Sequence, residues 1–508
     1  MVDTPRSLFG ASRLSLAISL VLLFGLGFAI RLYDITDLPL DFHPTRQLFS
    51  AIKARGMYYQ GLADVPDWQR ETAVQMWQSR VTIEPEILPR LAALLYRFTG
   101  EQLWLPRMLS ACFWLIGGLF LFLLARALVS TDGAILSLAL YLFLPYGIIA
   151  SRSFQPDPLM VMSILAFWWL VWRWSNAPAW KWALLAGLCG GFAIFVKLVA
   201  SFFVVGGGLG ALIGRFRLRA LIRNTQVWVM AVLGILPGAV WVSYGLFVAG
   251  FLRNEFGGNF IPSLLASPVY YLGWQKNITM VVGSLGIVLG LLGVFLARNR
   301  STARFLLGLW GAYVVFGLYF NYHISTHDYY SLPLIPVVAL SLASIGDWSF
   351  TRLLAAARKP WMRAMICLLL LYGVGASLWT VRDEMKAVDY RPTRAYWEEI
   401  GRLLGQGASV IALTDDYGSG LAYWGWQNAT AWPPSDQLKY RDIRGGKDDL
   451  ETMFAERTAK KSFFLIADLD DFARQPELKQ RLYASYPVYS EGDGYLIFDL
   501  GHPYGAAP

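Results

Sequence analysis

Residues 14–30 read LSLAISLVLLFGLGFAI, an uncharged apolar run about as long as a helix that crosses a bilayer. Arg6 and Arg13 precede the run, as basic residues precede the apolar part of a signal peptide. No cleavage site of small residues follows it, however. We therefore predict a retained first transmembrane helix.

Further apolar blocks of similar length follow this run. The chain has 508 residues, of which 56% are hydrophobic and only 16% charged, with 21 Trp and a mean hydropathy of +0.43. A water-soluble domain needs more polar surface, so the bilayer is the expected solvent. About eleven spans are predicted, at 14–33, 103–126, 132–151, 157–174, 181–197, 198–214, 226–250, 277–297, 303–321, 331–347 and 361–380. The fold class is a polytopic α-helical membrane protein.

The net charge of +9 is concentrated in short loops between the predicted spans. With a cytoplasmic N-terminus, the inner loops hold most of these basic residues, as the positive-inside rule requires. A nucleic-acid binder would gather them on one face with aromatic residues between them, so we exclude nucleic acid as a partner. Cys112, Cys189 and Cys367 each lie alone in an apolar block, which argues against disulfides and a cysteine metal site.

This orientation brings four polar segments to the extracytoplasmic side. They are the loop 34–102, the turn 151–157, the junction at Lys197 and the loop 321–330. Two helix-like runs in the first loop, residues 48–59 and 90–98, are predicted to lie along the membrane interface. Segments that share one face can build one site, so we predict an outward-facing pocket.

Five short motifs occur in these segments. They are His43-Pro44-Thr45-Arg46, Glu84-Pro85 through Tyr96 with Gly100 and Arg107, Phe154-Gln155-Pro156-Asp157, Phe195-Val196-Lys197, and His327-Asp328-Tyr329-Tyr330 before Pro333 and Pro336. In this order they resemble the GT-C superfamily of membrane glycosyltransferases, in particular the protein mannosyltransferases and the aminoarabinose transferases that modify lipid A. The resemblance covers roughly residues 14–347 and implies a sugar donor linked to a lipid phosphate.

The identity of the catalytic base is left open by one departure from the family pattern. The resemblance implies an aspartate in an acidic pair, where this chain has His43-Pro44. Asp41, two residues earlier, takes the role in one interpretation, and His43 in the other, because imidazole is also a competent base. A solvated turn for Asp41 and a helix start for His43 are the structural alternatives.

The remaining candidates have binding roles. Arg46 and Lys197 are predicted to hold the donor phosphate, because a departing phosphate gains negative charge that cations stabilise. The predicted substrate-binding residues are Glu84, Asp157, His327, Asp328, Tyr329 and Tyr330. If a divalent metal takes part, Glu84 and Asp157 are its candidate ligands. The alternatives are capping for Asp157, snorkelling to the interface for Lys197, head-group contact for Arg46 and an aromatic belt for the tyrosines.

The segment from about residue 381 alternates helix-like and strand-like stretches. Helices are predicted at 395–404, 448–456 and 479–486, and strands at 409–414, 462–466 and 495–500. We predict two domains, a GT-C-like transmembrane domain over 1–380, whose first outer loop is 34–102, and a soluble extracytoplasmic α/β domain over 381–508. Asp415-Asp416-Tyr417-Gly418 follows a predicted strand, where α/β folds often bind ligands, although a plain turn is the simpler interpretation.

The predicted function is that of an inverting glycosyltransferase, a hexosyl- or pentosyltransferase. It moves a sugar from a polyprenyl-phosphate donor to a glycan, lipid or protein acceptor on the extracytoplasmic face, in contact with membrane lipids. A bacterial inner or plasma membrane is the expected location. The alternatives are a transporter or flippase for a lipid-linked saccharide, and a scaffold whose catalytic loops are vestigial.

Overall fold

A computed structural model gives the fold and describes residues 7–253, 260–356, 359–443 and 449–505. Its contacts divide the chain into two compact units. The helical unit comprises Met1–Thr36, Val81–Leu88 and Trp104–Val388, and the sheet unit comprises Asp37–Arg80, Pro89–Leu103 and Asp389–Pro508. The predicted domain boundary at residue 380 stays a prediction.

Helices make up most of the chain. In chain order they are α1 (Arg13–Leu32), α2 (Pro44–Tyr59), α3 (Asp67–Ser79), α4 (Ile87–Thr99), α5 (Trp104–Leu128), α6 (Thr131–Phe143), α7 (Pro145–Ser151), α8 (Asp157–Asn176), α9 (Trp180–Val196), α10 (Ala200–Ile213), α11 (Leu218–Ile222), α12 (Thr225–Ser243), α13 (Pro268–Val282), α14 (Ser284–Phe295), α15 (Arg300–Tyr319), α16 (Asn321–Thr326), α17 (Leu334–Ala356), α18 (Pro360–Lys386) and α19 (Pro392–Leu404). A π-helical turn covers Tyr244–Val248, and 3-10 turns cover Pro262–Ala266 and Asp328–Ser331.

The remaining elements form the C-terminal part of the sheet unit. They are β1 (Val410–Leu413), α20 (Ser419–Trp424), β2 (Thr430–Ala431), α21 (Ser435–Ile443), α22 (Leu450–Thr458), β3 (Phe463–Ile466), α23 (Leu469–Ala473), α24 (Pro476–Ser485), β4 (Val488–Gly492) and β5 (Tyr495–Asp499). The predicted strands at 409–414, 462–466 and 495–500 coincide with β1, β3 and β5. The predicted helix 448–456 begins at a residue outside the described ones and otherwise overlaps α22.

Six helical segments of the described chain are long and apolar enough to cross a membrane. They contain α1, α5, α12, α15, α17 and α18, and two bent helix pairs raise the number to as many as eight. The chain is therefore an integral membrane protein, but the predicted number of eleven spans is not confirmed. The predicted spans 181–197 and 198–214 correspond to α9 and α10, which are 17 and 14 residues long and so shorter than the roughly 20 that a span needs.

Two predicted spans are broken helices. α6 and α7 meet at 59°, because Leu144 is extended ahead of Pro145, and a residue before proline disfavours the helical conformation. α13 and α14 meet at 85° at Gly283, whose φ of +73° is accessible to glycine at little cost. The predicted spans 132–151 and 277–297 therefore each contain a bend.

Two buried arginines fix the end of α1 within the helical unit. Arg107 on α5 donates from Nη1 to the Ile35 carbonyl at 3.1 Å. Arg152 donates from Nη1 to the Tyr33 carbonyl at 2.7 Å and from Nη2 to the Asp34 carbonyl at 3.0 Å. Since a buried carbonyl without a partner is costly, these donors stabilise the three residues that follow the first span.

The sheet of the sheet unit has five strands in the order β2-β1-β3-β5-β4. β1 is parallel to both β2 and β3, whereas β5 is antiparallel to β3 and β4. The core on the sheet consists of buried aliphatic and aromatic side chains, among them Ile411, Trp432 and Phe464. Because β1 and β3 are parallel neighbours, the residues after their carboxyl ends meet at one edge of the sheet.

A buried polar cluster joins three chain segments of the sheet unit. Arg55 on α2 forms an ion pair with Glu101, with 2.8 Å between Nε and Oε1. The Arg55 guanidinium also donates to the Tyr423 carbonyl and lies 3.6 Å from the centre of the Tyr423 ring. The Tyr423 hydroxyl donates to Glu101. The cluster thus makes α2, residues 100–103 and α20 parts of one compact unit.

Candidate functional site

Lys197 lies at a break between two helices of the helical unit. α9 ends at Val196, Lys197 is extended with φ −157°, and α10 begins at Ala200. Only 4% of the lysine is exposed. An ammonium group at such depth needs partners, because desolvation without them is very costly.

Two carboxylates partner this ammonium group. Lys197 Nζ is 2.9 Å from Asp157 Oδ1 and 3.6 Å from Glu84 Oε1. Asp157, the first residue of α8, is 3% exposed, so its ion pair with Lys197 is a buried one. Lysine has three N–H donors, so these two contacts leave donor capacity for a ligand.

Two tyrosines complete the surroundings of Lys197. Its Nζ lies 5.2 Å from the centre of the Tyr329 ring and 5.4 Å from that of Tyr330, within the range of cation–π attraction. Tyr330 stacks at 13° on Phe316 of α15. The structure therefore brings together five predicted site residues, namely Glu84, Asp157, Lys197, Tyr329 and Tyr330, which we call the Lys197 cluster.

His327 and Asp328 directly precede Tyr329 in sequence. His327 lies just before the 3-10 turn, and Asp328 is its first residue. The His327 ring is 5.6 Å from that of Tyr329, and its Nδ1 is 2.8 Å from the Thr326 hydroxyl. Asp328 is half-buried and lies within electrostatic range of Tyr146 on α7.

A cavity of about 120 Å³ opens beside Lys197 within the helical unit. Its polar lining includes Glu84, Lys197, His323 and Tyr330, and the rest is mainly aliphatic and aromatic, with Trp241 as the largest side chain. The cavity therefore combines the Lys197 ammonium group, which is paired with Glu84 and Asp157, with a mainly apolar wall. Such a combination suits a ligand that has an anionic group attached to a hydrocarbon.

Asp41, His43 and Arg46 lie together on a short segment of the sheet unit, where α2 begins. Asp41 is half-buried, and its Oδ1 accepts a hydrogen bond of 3.4 Å from Gln47 Nε2. The same amide donates to the Phe42 carbonyl at 2.7 Å, so Gln47 closes the turn. Arg46 lies half-buried in the first turn of α2.

The backbone at His43 is unusual. The residue caps α2 with φ +46° and ψ +69°, in the left-handed region that non-glycine residues rarely adopt. Pro44 follows as the first helical residue, where its fixed φ fits the helix. Such strain costs on the order of 1–3 kcal/mol and persists only where the surroundings impose it, often at functional sites.

Tyr390 is a neighbour of Asp41 that the sequence did not indicate. Burial raises the pKa of the Tyr390 phenol, and the negative charges of Asp41 and Asp37 raise it further. The phenol is therefore neutral at physiological pH, and its O–H is a hydrogen-bond donor on the side of the sheet unit that holds Asp41.

The two predicted candidate metal ligands, Glu84 and Asp157, both contact the Lys197 ammonium group. Within residues 7–253, 260–356, 359–443 and 449–505, no group of three or more His, Cys, Asp or Glu side chains is arranged to hold a metal ion. The two carboxylates therefore pair with the Lys197 ammonium group at this place.

Sequence reasoning missed two residues that the structure places at the Lys197 cluster. Tyr146 lies within electrostatic range of both Asp157 and Asp328. Trp241 lines the cavity, and its indole donates to the Ile83 carbonyl at 3.1 Å, one residue from Glu84. Both occur inside apolar runs, where an aromatic residue is expected in any case, so the sequence contains no signal for them.

Known proteins resemble the chain in sequence over one part and in fold over nearly its whole length. A family model described as dolichyl-phosphate-mannose-protein mannosyltransferase matches residues 84–244. The matched part contains Glu84, Asp157 and Lys197, the three residues of the ion cluster. No curated protein matches the sequence.

Two solved proteins are similar in fold. ArnT from Cupriavidus metallidurans in the apo state has a TM-score of 0.58 and 16% identity, over 95% of this chain and 98% of that one. The same protein bound to undecaprenyl phosphate has a TM-score of 0.55 and 16% identity, over 96% of this chain and 98% of that one. The second is the archaeal oligosaccharyltransferase AglB from Archaeoglobus fulgidus in complex with an inhibitory peptide and a dolichol-phosphate. It has a TM-score of 0.54 and 12% identity, over 98% of this chain and 75% of that one. The predicted resemblance of this chain to the GT-C superfamily is thereby confirmed.

Proposed function

We propose that the chain is a membrane glycosyltransferase that takes a sugar from a polyprenyl-phosphate carrier and passes it to an acceptor on the extracytoplasmic face. The Lys197 cluster is the main support, because a buried ammonium group beside an apolar cavity matches a phosphate attached to an isoprenoid chain. The fold of ArnT bound to undecaprenyl phosphate is consistent with this ligand. The charge bias of the loops favours the extracytoplasmic side.

The proposed reaction is one displacement at the anomeric carbon. The acceptor hydroxyl oxygen attacks that carbon, the bond from the carbon to the phosphate oxygen breaks, and the lipid phosphate leaves with the electron pair. Asp41 or His43 accepts the hydroxyl proton. Lys197 and Arg46 stabilise the negative charge that develops on the phosphate. Because one displacement occurs, the anomeric configuration is inverted.

The donor role of Lys197 is tested with purified protein in nanodiscs and a panel of polyprenyl-phosphate sugars, by the release of polyprenyl phosphate. Lys197→Met alone would leave Asp157 buried without its cation, so Lys197→Gln with Asp157→Asn is the better variant. It removes both charges and keeps a hydrogen bond. A lost charge-assisted contact is worth about 1.5–3 kcal/mol, so we expect kcat/KM to fall roughly 10- to 150-fold.

Lys181→Met is the matched control, because Lys181 is exposed at the opposite end of α9. It should retain full activity. Equal turnover by the double variant and the wild type would refute the donor role of Lys197.

The catalytic base is identified with Asp41→Asn and His43→Asn. Asn at 41 can still accept the hydrogen bond from Gln47, and asparagine tolerates the left-handed backbone of residue 43, so both variants should fold. The variant that lacks the base should lose about 10²–10⁴-fold in turnover. Retention of turnover by both variants would exclude this segment as the source of the base.

A transporter of lipid-linked saccharides is the second candidate, supported by the two broken helix pairs α6–α7 and α13–α14. The release assay separates the two functions, since a transporter moves its cargo across the bilayer without cleaving the phosphate bond. Translocation of intact donor without released polyprenyl phosphate would favour the transporter.

A further inference from the structure

A second cavity, of about 660 Å³, lies within the sheet unit. It is located at the edge where the parallel strands β1 and β3 end, because Asp415 follows β1 and Asp468 follows β3. Ligands of α/β folds often bind at this edge. The volume lies within the usual range for small-molecule sites, about 300–1,000 Å³.

The acidic wall of this cavity consists of Asp415, Asp416, Asp468 and Asp470. Two of these carboxylates have structural roles. Asp416 accepts hydrogen bonds from the Thr414 hydroxyl and from backbone amides at the start of α20, and Asp468 accepts one of 2.8 Å from the Asp471 amide. Asp415 and Asp470 are exposed to solvent in the cavity.

The charge of the wall restricts the ligand. Among the described residues that line the cavity, none is Lys, Arg or His. Partial desolvation of the Asp415 carboxyl group, and to a smaller extent the neighbouring charges of Asp416 and Asp468, raise its pKa to about 6. An anionic ligand would add to this repulsion, whereas hydroxyl and ammonium groups donate hydrogen bonds that carboxylates accept.

The opposite wall is aromatic and apolar. Tyr390, Tyr396 and Trp397 line it, and the rings of Tyr396 and Trp397 pack edge to face with centres 4.9 Å apart. The Tyr396 hydroxyl donates to the Gly494 carbonyl at 3.0 Å, which holds its ring in place. Aromatic rings next to hydrogen-bond acceptors suit a sugar, because a sugar ring has an apolar C–H face and hydroxyl groups at its edge.

The segment with the candidate bases forms part of the same wall. Leu40 and Pro44 line the cavity, and they flank Asp41 and His43 in sequence. Tyr390, which also lines it, is the neighbour of Asp41 described above. A ligand in the cavity would therefore lie next to the residues that are proposed to accept a proton from the acceptor.

We propose that this cavity binds a saccharide with hydroxyl or ammonium groups and without phosphate or carboxylate groups, and that this saccharide is the acceptor. The acceptor role rests on the proposed function, whereas the binding of a saccharide does not.

The test measures binding of matched trisaccharides to the full-length protein in nanodiscs by saturation-transfer NMR, without a donor lipid. Maltotriose is the neutral probe, triglucosamine the cationic one and trigalacturonate the anionic one. We expect maltotriose or triglucosamine to bind and trigalacturonate to bind at least about tenfold more weakly. Asp415→Asn should weaken binding of the better probe about 10-fold or more, as expected for a lost charge-assisted hydrogen bond. Glu477→Gln, an exposed carboxylate of α24 outside the cavity, should leave it unchanged.

The results separate the two proposals. Failure of all three probes to bind, preference for trigalacturonate, or equal effects of Asp415→Asn and Glu477→Gln would overturn the saccharide site. If binding fails while the protein releases polyprenyl phosphate, the proposed function stands and this inference is wrong. If a probe binds but no lipid donor is cleaved, the saccharide site stands and its role as the acceptor site is wrong.

Discussion

Removal of Arg55 should destabilise the sheet unit strongly. Arg55 is 7% exposed and is the cation of a buried cluster that contains Glu101 and Tyr423. Arg55→Met keeps most of the side-chain volume but removes the cation from the Glu101 carboxylate, which keeps its hydrogen bond from the Tyr423 hydroxyl. Removal of one partner of a buried ion pair costs about 3–5 kcal/mol. For units of about 150–250 residues each kcal/mol lowers the unfolding midpoint by about 2–4 °C, so we expect a decrease of roughly 6–20 °C.

The assay is temperature-dependent proteolysis of the full-length protein, with peptides of the sheet unit quantified by mass spectrometry. Arg394→Met is the control, because Arg394 forms an exposed ion pair with Glu398 at 2.7 Å. Surface pairs contribute about 0–1 kcal/mol, so this midpoint should change by less than about 4 °C. The double variant Arg55→Met with Glu101→Leu should be more stable than Arg55→Met alone, since no unpaired charge remains. A similar decrease in the unfolding midpoint for Arg55→Met and Arg394→Met would refute the argument. So would a double variant whose midpoint falls by more than the sum of the decreases for its two single substitutions.

Three further predictions concern single residues. The raised pKa of Asp415 means that its ionised form disfavours the folded state. The stability of the fold is therefore full below pH 4 and falls as the pH rises through about 6. Asp415→Asn should unfold at a higher temperature than the wild type at pH 7.5 but not at pH 3.5. Because the group is exposed and solvent-screened, the gain should not exceed about 1 kcal/mol in thermal scans at the two pH values. Arg31→Leu should lower the free energy of unfolding of the helical unit by about 2–5 kcal/mol, because it leaves the buried Gly27 and Leu142 carbonyls without their 2.7 and 3.0 Å donors. The same proteolysis assay measures this change as a lower unfolding temperature. Gly293→Ala should reduce the yield of folded protein in size-exclusion chromatography, because the added Cβ would lie 2.1 Å from a backbone carbonyl oxygen of α17. Gly373→Ala is the control and should behave like the wild type, because its Cβ would meet no atom within 4 Å.

The Lys197 cluster could be predicted in part from the sequence. Asp157 and Lys197 were recognisable because an ionisable residue inside an apolar block must find a partner or a function. Their direct contact could not be predicted, because the two residues are 40 positions apart and spacing along one helix says nothing about such pairs. The contact of Glu84 with the same ammonium group was likewise not predictable.

The strands show a similar division. β1, β3 and β5 are short buried runs of aliphatic and aromatic residues, which the sequence displays directly. β4 reads VYSEG and is largely exposed, so it has no apolar pattern that would identify it. The bends at Pro145 and Gly283 did have local signals, but the continuous apolar composition across them favoured single spans.

The sequence does not predict that α2 belongs to the sheet unit. The Arg55 cluster joins residues 46 and 368 positions apart, and no periodicity or motif connects segments at that separation. The sequence indicated the candidate cavity at Asp415 only by the position of this residue after a predicted strand, which fits either a ligand site or a plain turn. Its aromatic wall and the participation of Leu40 and Pro44 depend on the three-dimensional fold.

The wide sequence separation within the sheet unit has a consequence for biosynthesis. The Tyr423 carbonyl that accepts from Arg55 leaves the ribosome 368 residues after it. At about 5–20 residues per second, translation of that stretch takes roughly 20–70 s. During this interval the segment of Asp41 and His43 has been synthesised and α2 can pack on α3, but α2 lacks its contacts with Tyr423 and α20. A nascent chain whose last spans have already entered the membrane is therefore still incomplete around its candidate base. The proposed transfer activity should begin only after the C-terminal sheet has been made.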